Sequence, residues 1–499
     1  MKKKYLLALA LAAVTCVTQA QTLRIGLAED PDILDPTLAR TFVGRIVFAS
    51  LCDKLFEIDE KLNFVPQLAT SYQWSADNKS LTLKLRSGVT FHDGEKFNAA
   101  AVKFNIERHK TMPGSNRRGE LSPVVSVDVV DDLTVRLNLS APFSPLLSVL
   151  ADRAGMMVSP KAALANPTNF GTKPVCSGPF QFAERVAQDR IVLERYPNYW
   201  NKAAIHFDKV VFLPIVDATV RLANLRAGQL DLIERVAPSD VASIKADKKL
   251  VMARITELGY QGITINTNKS DQAQQNPLGR DPRVREAFEL SLDRAAIVQV
   301  AMDGEAQPGN QWVAPSNSFY AKNVPIPKRD IPRAKALLKE AGVTNPTFTL
   351  MTPTTSDAQR LAQVVQAMAK EAGFNVKIQA TEFATSLNLA DKGQFDAYIL
   401  AWSGRVDPDG NLFSFYGCNQ PLNYSGECRP AWDELLNRSR NTLDTAGRIK
   451  VFATLAAETA KVVPIVYLYH RNWLWAHNKS LTGLRSIPDG LVRVQGLKM

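Results

Sequence analysis

The sequence predicts an α/β protein with a partly parallel sheet, divided into several domains. Three observations carry that expectation. Residues 347 to 402 read strand, helix, strand, strand, as "TFTLMTP", "DAQRLAQVVQAMAKEAG", "FNVKIQAT" and "FDAYILAW". A strand–helix–strand run needs a crossover, which brings parallel strands together. Along the rest of the chain, period-two alternation and helical periodicity trade places. Finally, 499 residues exceed what one core organises, so about two or three domains are expected.

The elements follow in order. "LRIGLAED" opens as a strand. "SLTLKLRSGVTFHDG" spaces Leu81, Leu83 and Leu85 at period two, the pattern of a strand with one buried face. Asn98 is placed to cap the helix "AAAVKFNIERH". "LTVRLNL" repeats the alternation, so residues 60 to 175 read as strand-rich with one good helix. "TVRLANLRAGQLDLIE" is a helix stopped at Gly228, then a strand, and "GYQGITIN" is a strand that changes character at Asn266. Asp281 precedes Pro282 at the start of one helix, and Asp293 starts another. "NQWVAPSNSFYAKNVPIPKRD" reads as an ordered loop, and "PRAKALLKEAG" as a short helix closed by Gly342. In the last unit Gly373 stops the helix, and "FDAYILAW" is apolar enough for burial on both faces. That strand runs abruptly into Arg405, Asp407 and Asp409. The C-terminal end of such a strand is where ligands bind in open α/β sheets.

The first twenty residues stand apart. Lys2, Lys3 and Lys4 precede an apolar stretch, Tyr5 to Val17, too short to span a bilayer. Small residues follow, the pattern of a secretory leader cleaved after Ala20. Cys16 raises lipid anchoring as the alternative, with Thr15 a poor residue before it. An exported protein can keep disulfides. Cys418 and Cys428 flank the polar turn "NQPLNYSGE", so a local bridge is the economical pairing and leaves Cys52 with Cys176. Four free thiols are the alternative. The chain carries a net charge of +11, but its basic residues are scattered, with no run beyond Arg117-Arg118 or Lys248-Lys249. A solvated basic surface is expected, and no nucleic-acid partner.

Motifs of chemistry are missing. There is no phosphate loop, no G-x-G-x-x-G and no G-x-S-x-G. The five histidines show no H-E-x-x-H and no metal-ligand spacing, and CxxC is absent. No cofactor and no metal are expected. A large exported binding protein without catalysis is the default. An exported hydrolase, with a nucleophile or paired carboxylates in a cleft, is the rival.

Several stretches then carry a resemblance. "VPQLATSYQWSADNKSLTLKLRSGVTFHDGEKFNAAAVKFNIER", "GTKPVCSGPFQF", "LERYPNYWN", "DPRVREAFELSLDRAAI" and "AKALLKEAG" resemble, in order, the family 5 solute-binding proteins of peptide- and nickel-class ABC importers. The resemblance covers residues 22 to 490. It implies a two-lobe periplasmic binding protein of cluster C type, with an extra strand-rich subdomain in the first lobe. Residues 21–56, 176–266 and 474–499 would form lobe I, residues 57–175 its subdomain, and residues 267–473 lobe II. Two crossing strands, near "GYQGITINT" and "YLYHRNWLWAHN", would join the lobes. The implied function is capture of a solute by lobe closure and delivery to a cognate permease with separate ATPase subunits. A periplasmic monomer is expected, and a sensor-coupled binding protein is the alternative within the class.

The resemblance also gives the strand end a role. Dipeptide-type members place an acid after the tryptophan, where it pairs with the ligand's amino group. Here Trp402-Ser403-Gly404-Arg405 puts a base there. Those members also carry an arginine near the start of the helix after the "TLMTP"-like strand, where this chain has Thr354-Thr355-Ser356. The expectation is a peptide-like or anionic solute facing Arg405, such as an opine, an organic acid or a glutathione-like compound. Haem is a further possibility, and nickel is disfavoured. A structural ion pair of Arg405 with Asp407 or Asp409 is the competing expectation. Asp407, Thr355, Trp402, Trp312 and Tyr260 complete the expected ligand-binding set.

Overall fold

The structure, a computed structural model of the chain, describes residues 21–499. The expected leader, its cleavage point and Cys16 lie outside the described residues.

Two lobes share one sheet, and its spine is the 14-residue strand Ile465–Asn478. At about 3.3 Å per residue such a strand reaches across two cores. Its first part pairs antiparallel with Tyr260–Ile265, and its last part with Leu250–Thr256 and Leu232–Ile233. The strands pass from one core to the other at Glu257–Gly259 and between Tyr469 and Trp473, so Tyr260–Ile265, expected in lobe I, packs with the second-lobe cores. Glycine is required at the first crossing, because a Cβ on Gly259 would sit 1.6 Å from the Trp402 carbonyl oxygen.

In the first lobe Thr22–Leu27 lies parallel to Lys209–Pro214 and to Leu232–Ile233. Leu23, Ile25 and Phe212 pack there against the helix Phe42–Leu51, Trp473, Trp475 and the returning C-terminal residues Leu491, Val492 and Leu497. A second core of this region is built on an antiparallel four-stranded sheet in the order Ala69–Trp74, Ser80–Leu85, Thr134–Leu139, Val124–Asp131. The alternation read from the sequence is real here: Leu81, Leu83 and Leu85 are buried. Asn98 caps the covering helix Ala99–Thr111 by accepting a hydrogen bond from the Ala101 amide.

In the second lobe Thr347–Pro353 runs parallel to Asn375–Thr381 and to Ala397–Trp402. The crossover helix Ser356–Glu371 buries Leu361, Ala362, Val365 and Ala369 against them. Asp281 and Asp293 cap their helices by accepting from the amides of Arg283 and Ala296. Both expected disulfides are formed, Cys52–Cys176 and Cys418–Cys428.

One expectation fails. The basic residues are not all on a solvated surface. Arg45, Arg117, Arg153 and Arg405 are 3%, 2%, 1% and 8% exposed. They converge on Asp152 and Glu120. Residues scattered along the chain meet because three separate segments of the first lobe and the second-lobe turn after Trp402 come together at one place.

Candidate functional site between the lobes

A cavity opens where the lobes face each other. Glu29, Arg40, Phe42 and Arg235 come from the first lobe, and Thr355, Asp357, Phe383, Trp402 and Ser403 from the second. Gln261 and Arg471, on the crossing strands, form its floor. The empty space is about 650 Å³, open solvent at its mouth included. A neighbouring cavity shares Arg235, Thr355, Asp357 and Arg471, and another shares Arg40, Phe383, Ala401 and Trp402.

Local structure explains why these side chains arrive here. Thr355 and Asp357 sit at the first turn of Ser356–Glu371, directly after the parallel strand Thr347–Pro353. A helix N-terminus there favours negative charge. Arg40 and Phe42 lead into the helix Phe42–Leu51. The Arg40 amide donates to Asp32 at 2.8 Å, and its Nη1 reaches Asp391 of the second lobe at 2.6 Å. Phe42 stacks on Trp473 with ring centroids 4.3 Å apart. Trp402 ends its strand with Nε1 donating to Asn411 at 2.9 Å.

The charges on the wall are mostly paired. Arg235 lies between Glu29 at 2.7 Å and Glu234 at 2.9 Å. Burial lowers its pKa, but the two carboxylates outweigh burial and raise it. Arg471 pairs with the buried Glu257 at 2.9 Å. Asp357 differs: among the described residues it makes no ion pair. Burial pushes its pKa up, yet the Thr355 hydroxyl and the guanidiniums of Arg471 and Arg235 hold it below the usual carboxylate range. An ionised carboxylate thus faces the cavity with no cation bound to it.

Of the residues expected from sequence, Trp402 and Thr355 line the cavity. Arg405 does not line it. It folds behind Trp402, its guanidinium 4.4 Å over that ring, and its Nε meets Asp152 Oδ2 at 2.7 Å. Neither reading of the sequence anticipated this. Arg405 is paired, but with an acid of the first lobe instead of Asp407 or Asp409. Gly404, at φ +77°, makes the turn that sends it there, and a Cβ on that residue would lie 2.2 Å from the Leu258 carbonyl carbon. Asp407 accepts two bonds from Arg448, at 2.6 and 2.7 Å, and Asp409 two from Arg440. Both acids therefore brace the second lobe. Trp312 and Tyr260 are buried in that lobe's core with Phe415, Tyr416, Phe452 and Tyr467. Tyr260 misses the cavity because successive side chains of a strand face opposite sides, and Gln261 takes the facing position.

Sequence reasoning missed Arg40, Phe42, Arg235, Asp357, Phe383 and Arg471, which lie in five separate segments. Only Asp357 had a local signal, an acid in the first turn of a helix that follows a parallel strand.

Comparison with known proteins places this architecture. The model of the bacterial extracellular solute-binding proteins, family 5, matches residues 63–423. The glutathione-binding protein GsiB of Pectobacterium atrosepticum is 28% identical over 471 residues, 92% of this chain and 90% of that protein. The structure of AgaA from A. tumefaciens R10, in complex with agropinic acid, superposes with a TM-score of 0.87 at 27% identity, covering 96% of this chain and 98% of that one. The oligopeptide-binding protein AppA of Bacillus subtilis, in complex with a nonapeptide, gives 0.87 at 25% identity, covering 96% and 99%. With a family match over most of its length and a cavity walled by both lobes, the chain belongs to the bacterial extracellular solute-binding proteins of family 5.

Proposed function

We propose that the protein is the periplasmic binding component of an ABC importer, capturing a small solute that carries both an amine and an anionic group. The observation that carries this reading is a charged cavity walled by both lobes and floored by the strands that join them. A solute there touches both lobes at once. It therefore binds the closed arrangement more tightly than the open one, and that difference drives closure. Transfer to a permease follows, with separate ATPase subunits supplying the energy. Cleavage after Ala20 would release the protein as a soluble monomer.

The wall suggests the orientation. Asp357 takes the ammonium, since a buried ammonium needs a partner. Arg40, Thr355 and the helix start beside it can take oxyanions. Phe42 and Trp402 cover the solute's apolar parts. Compared with the dipeptide arrangement, an acid, Asp357, stands at the helix start where those members carry an arginine, and Arg405 lies behind Trp402, outside the cavity. Glutathione, agropinic acid and a peptide, the compounds named for the relatives, all bear carboxyl groups.

Titration of the solute that co-purifies with the exported protein tests this. One-to-one binding without product, with compaction in small-angle scattering, is expected. Asp357→Asn should weaken it roughly ten- to a hundredfold, the range for losing a charged hydrogen bond. Unchanged affinity in that variant removes Asp357 from the site, and turnover of the solute removes the binding-protein reading.

A further inference from the structure

Trp402 forms part of the cavity wall, and one buried residue behind it fixes how its ring is presented. Asn411 closes the short turn Pro408–Asn411, is wholly buried and does not line the cavity. A side-chain amide has an acceptor oxygen and two N–H donors, and here both ends are used. Its Oδ1 accepts from Trp402 Nε1 and from the Arg405 amide, each at 2.9 Å. Its Nδ2 donates to the carbonyl oxygens of Leu258 and Trp312, each at 3.0 Å. Turning the amide over would set its N–H groups against two donors and its oxygen against two carbonyls, so only one orientation fits.

The four partners have different places in the fold. Trp402 ends its strand at the cavity. Arg405 sends its side chain to Asp152 of the first lobe. Leu258 lies between the strands Leu250–Thr256 and Tyr260–Ile265, where the chain leaves one core for the other. Trp312 is anchored in the second-lobe core. Packing on the Trp402 ring comes from Phe415, edge-on at 4.9 Å, and from the Arg405 guanidinium at 4.4 Å. Ring contacts alone allow more than one orientation. An indole has a single N–H, so its bond to Asn411 selects which edge turns away from the cavity. Without that acceptor Nε1 and the Arg405 amide lose their partner, and the ring turns to find another.

We infer that Asn411 is a positioning residue for solute capture: it sets the Trp402 indole as a preformed wall of the cavity and ties that wall to the segment joining the lobes. The inference rests on the importer reading and adds to it how the wall is held before solute arrives. A wall ordered in advance spares the solute the cost of ordering it.

The test reads the indole nitrogens of the isotope-labelled mature protein by NMR, with the Trp402 signal assigned by its absence in Trp402→Phe. Asn411→Ala should move that signal and speed exchange of its proton with solvent about tenfold, the weight of one hydrogen bond. Titrated with the solute that co-purifies with the wild type, Asn411→Ala should bind about tenfold more weakly. In the Trp402→Phe background no N–H remains to be held, so the same substitution should cost less affinity there. A merely structural asparagine would give additive effects instead. Should Asn411→Ala fail to fold, the wild type decides: its Trp402 indole proton should be equally protected with and without solute. An unmoved Trp402 signal, unchanged affinity, additive substitutions, or an indole proton protected only after solute is added overturns the proposal. A wild type that binds no solute overturns the importer reading instead, and the indole signal still decides whether Asn411 sets the ring.

Discussion

Replacing Asp152 with asparagine removes the charge that ties the lobes together. Asp152 precedes the short turn Arg153–Gly155 of the first lobe and accepts from Arg405, which follows Trp402 in the second. It also accepts from Arg45, whose Nη1 donates to Ser403 across the cleft at 3.0 Å. In the variant the closed form keeps Arg405 and Arg45 buried without a counter-charge. In an open form water would solvate Arg405. Leaving a buried charge unpaired costs about 3–5 kcal/mol. If that penalty falls on closure, solute affinity drops roughly a hundredfold to a few thousandfold. The assay is calorimetric titration of wild type, Asp152→Asn, Arg405→Gln and the double variant, each with a thermal melt. The double variant should regain most of the affinity, because it removes one of the stranded charges together with its partner. A purely additive cycle, or a lowered melting temperature with unchanged affinity, would refute the idea that the pair acts on closure. Asp152 stays ionised in mild acid. Burial alone would raise its pKa, but Arg405, Arg45 and Arg153 hold it far below the carboxylate range.

Further consequences concern stability. Burial, followed by Arg108 and Arg117, lowers the His109 pKa from 6.5 to about 3. The folded protein thus holds fewer protons there than the unfolded chain, so His109 costs nothing above pH 6.5 and weakens the fold as pH falls below it. Relative to wild type, His109→Gln should gain about 3 kcal/mol between pH 7 and pH 4, read from denaturant melts at both values. A constant difference would contradict this. The disulfides separate by function. Cys52–Cys176 spans 124 residues and Cys418–Cys428 spans 10, so loop closure assigns them about 5 and 2–3 kcal/mol. Removing the first should cost more stability. Removing the second should cost more solute affinity, because it braces the loop that brings Leu422 and Tyr424 to the cavity beside Trp402. The opposite ranking would count against both assignments.

Much of the fold was legible because its signals are local. Period-two leucines at 81, 83 and 85, the caps at Asn98, Asp281 and Asp293, and the crossover between residues 347 and 402 each depend on a few neighbouring residues. The site was legible only where a wall residue ends a readable strand or starts a readable helix, as Trp402 and Thr355 do. Arg405 shows the limit. Its residue type could be read, but its direction depends on a positive-φ glycine and on an acid 253 positions earlier in the chain, Asp152. Arg117 and Arg153 carry no local mark of burial, because long-range packing alone encloses them.

Capture of a charged solute between the lobes is tested most directly by mass spectrometry of what the natively exported protein retains after purification. One small solute in equimolar amount is expected, bearing an amine and a carboxylate. A protein that retains only a solute without a carboxylate, such as a neutral amine, would contradict the charge arrangement of the cleft. Retention of cleaved fragments would instead point to catalysis.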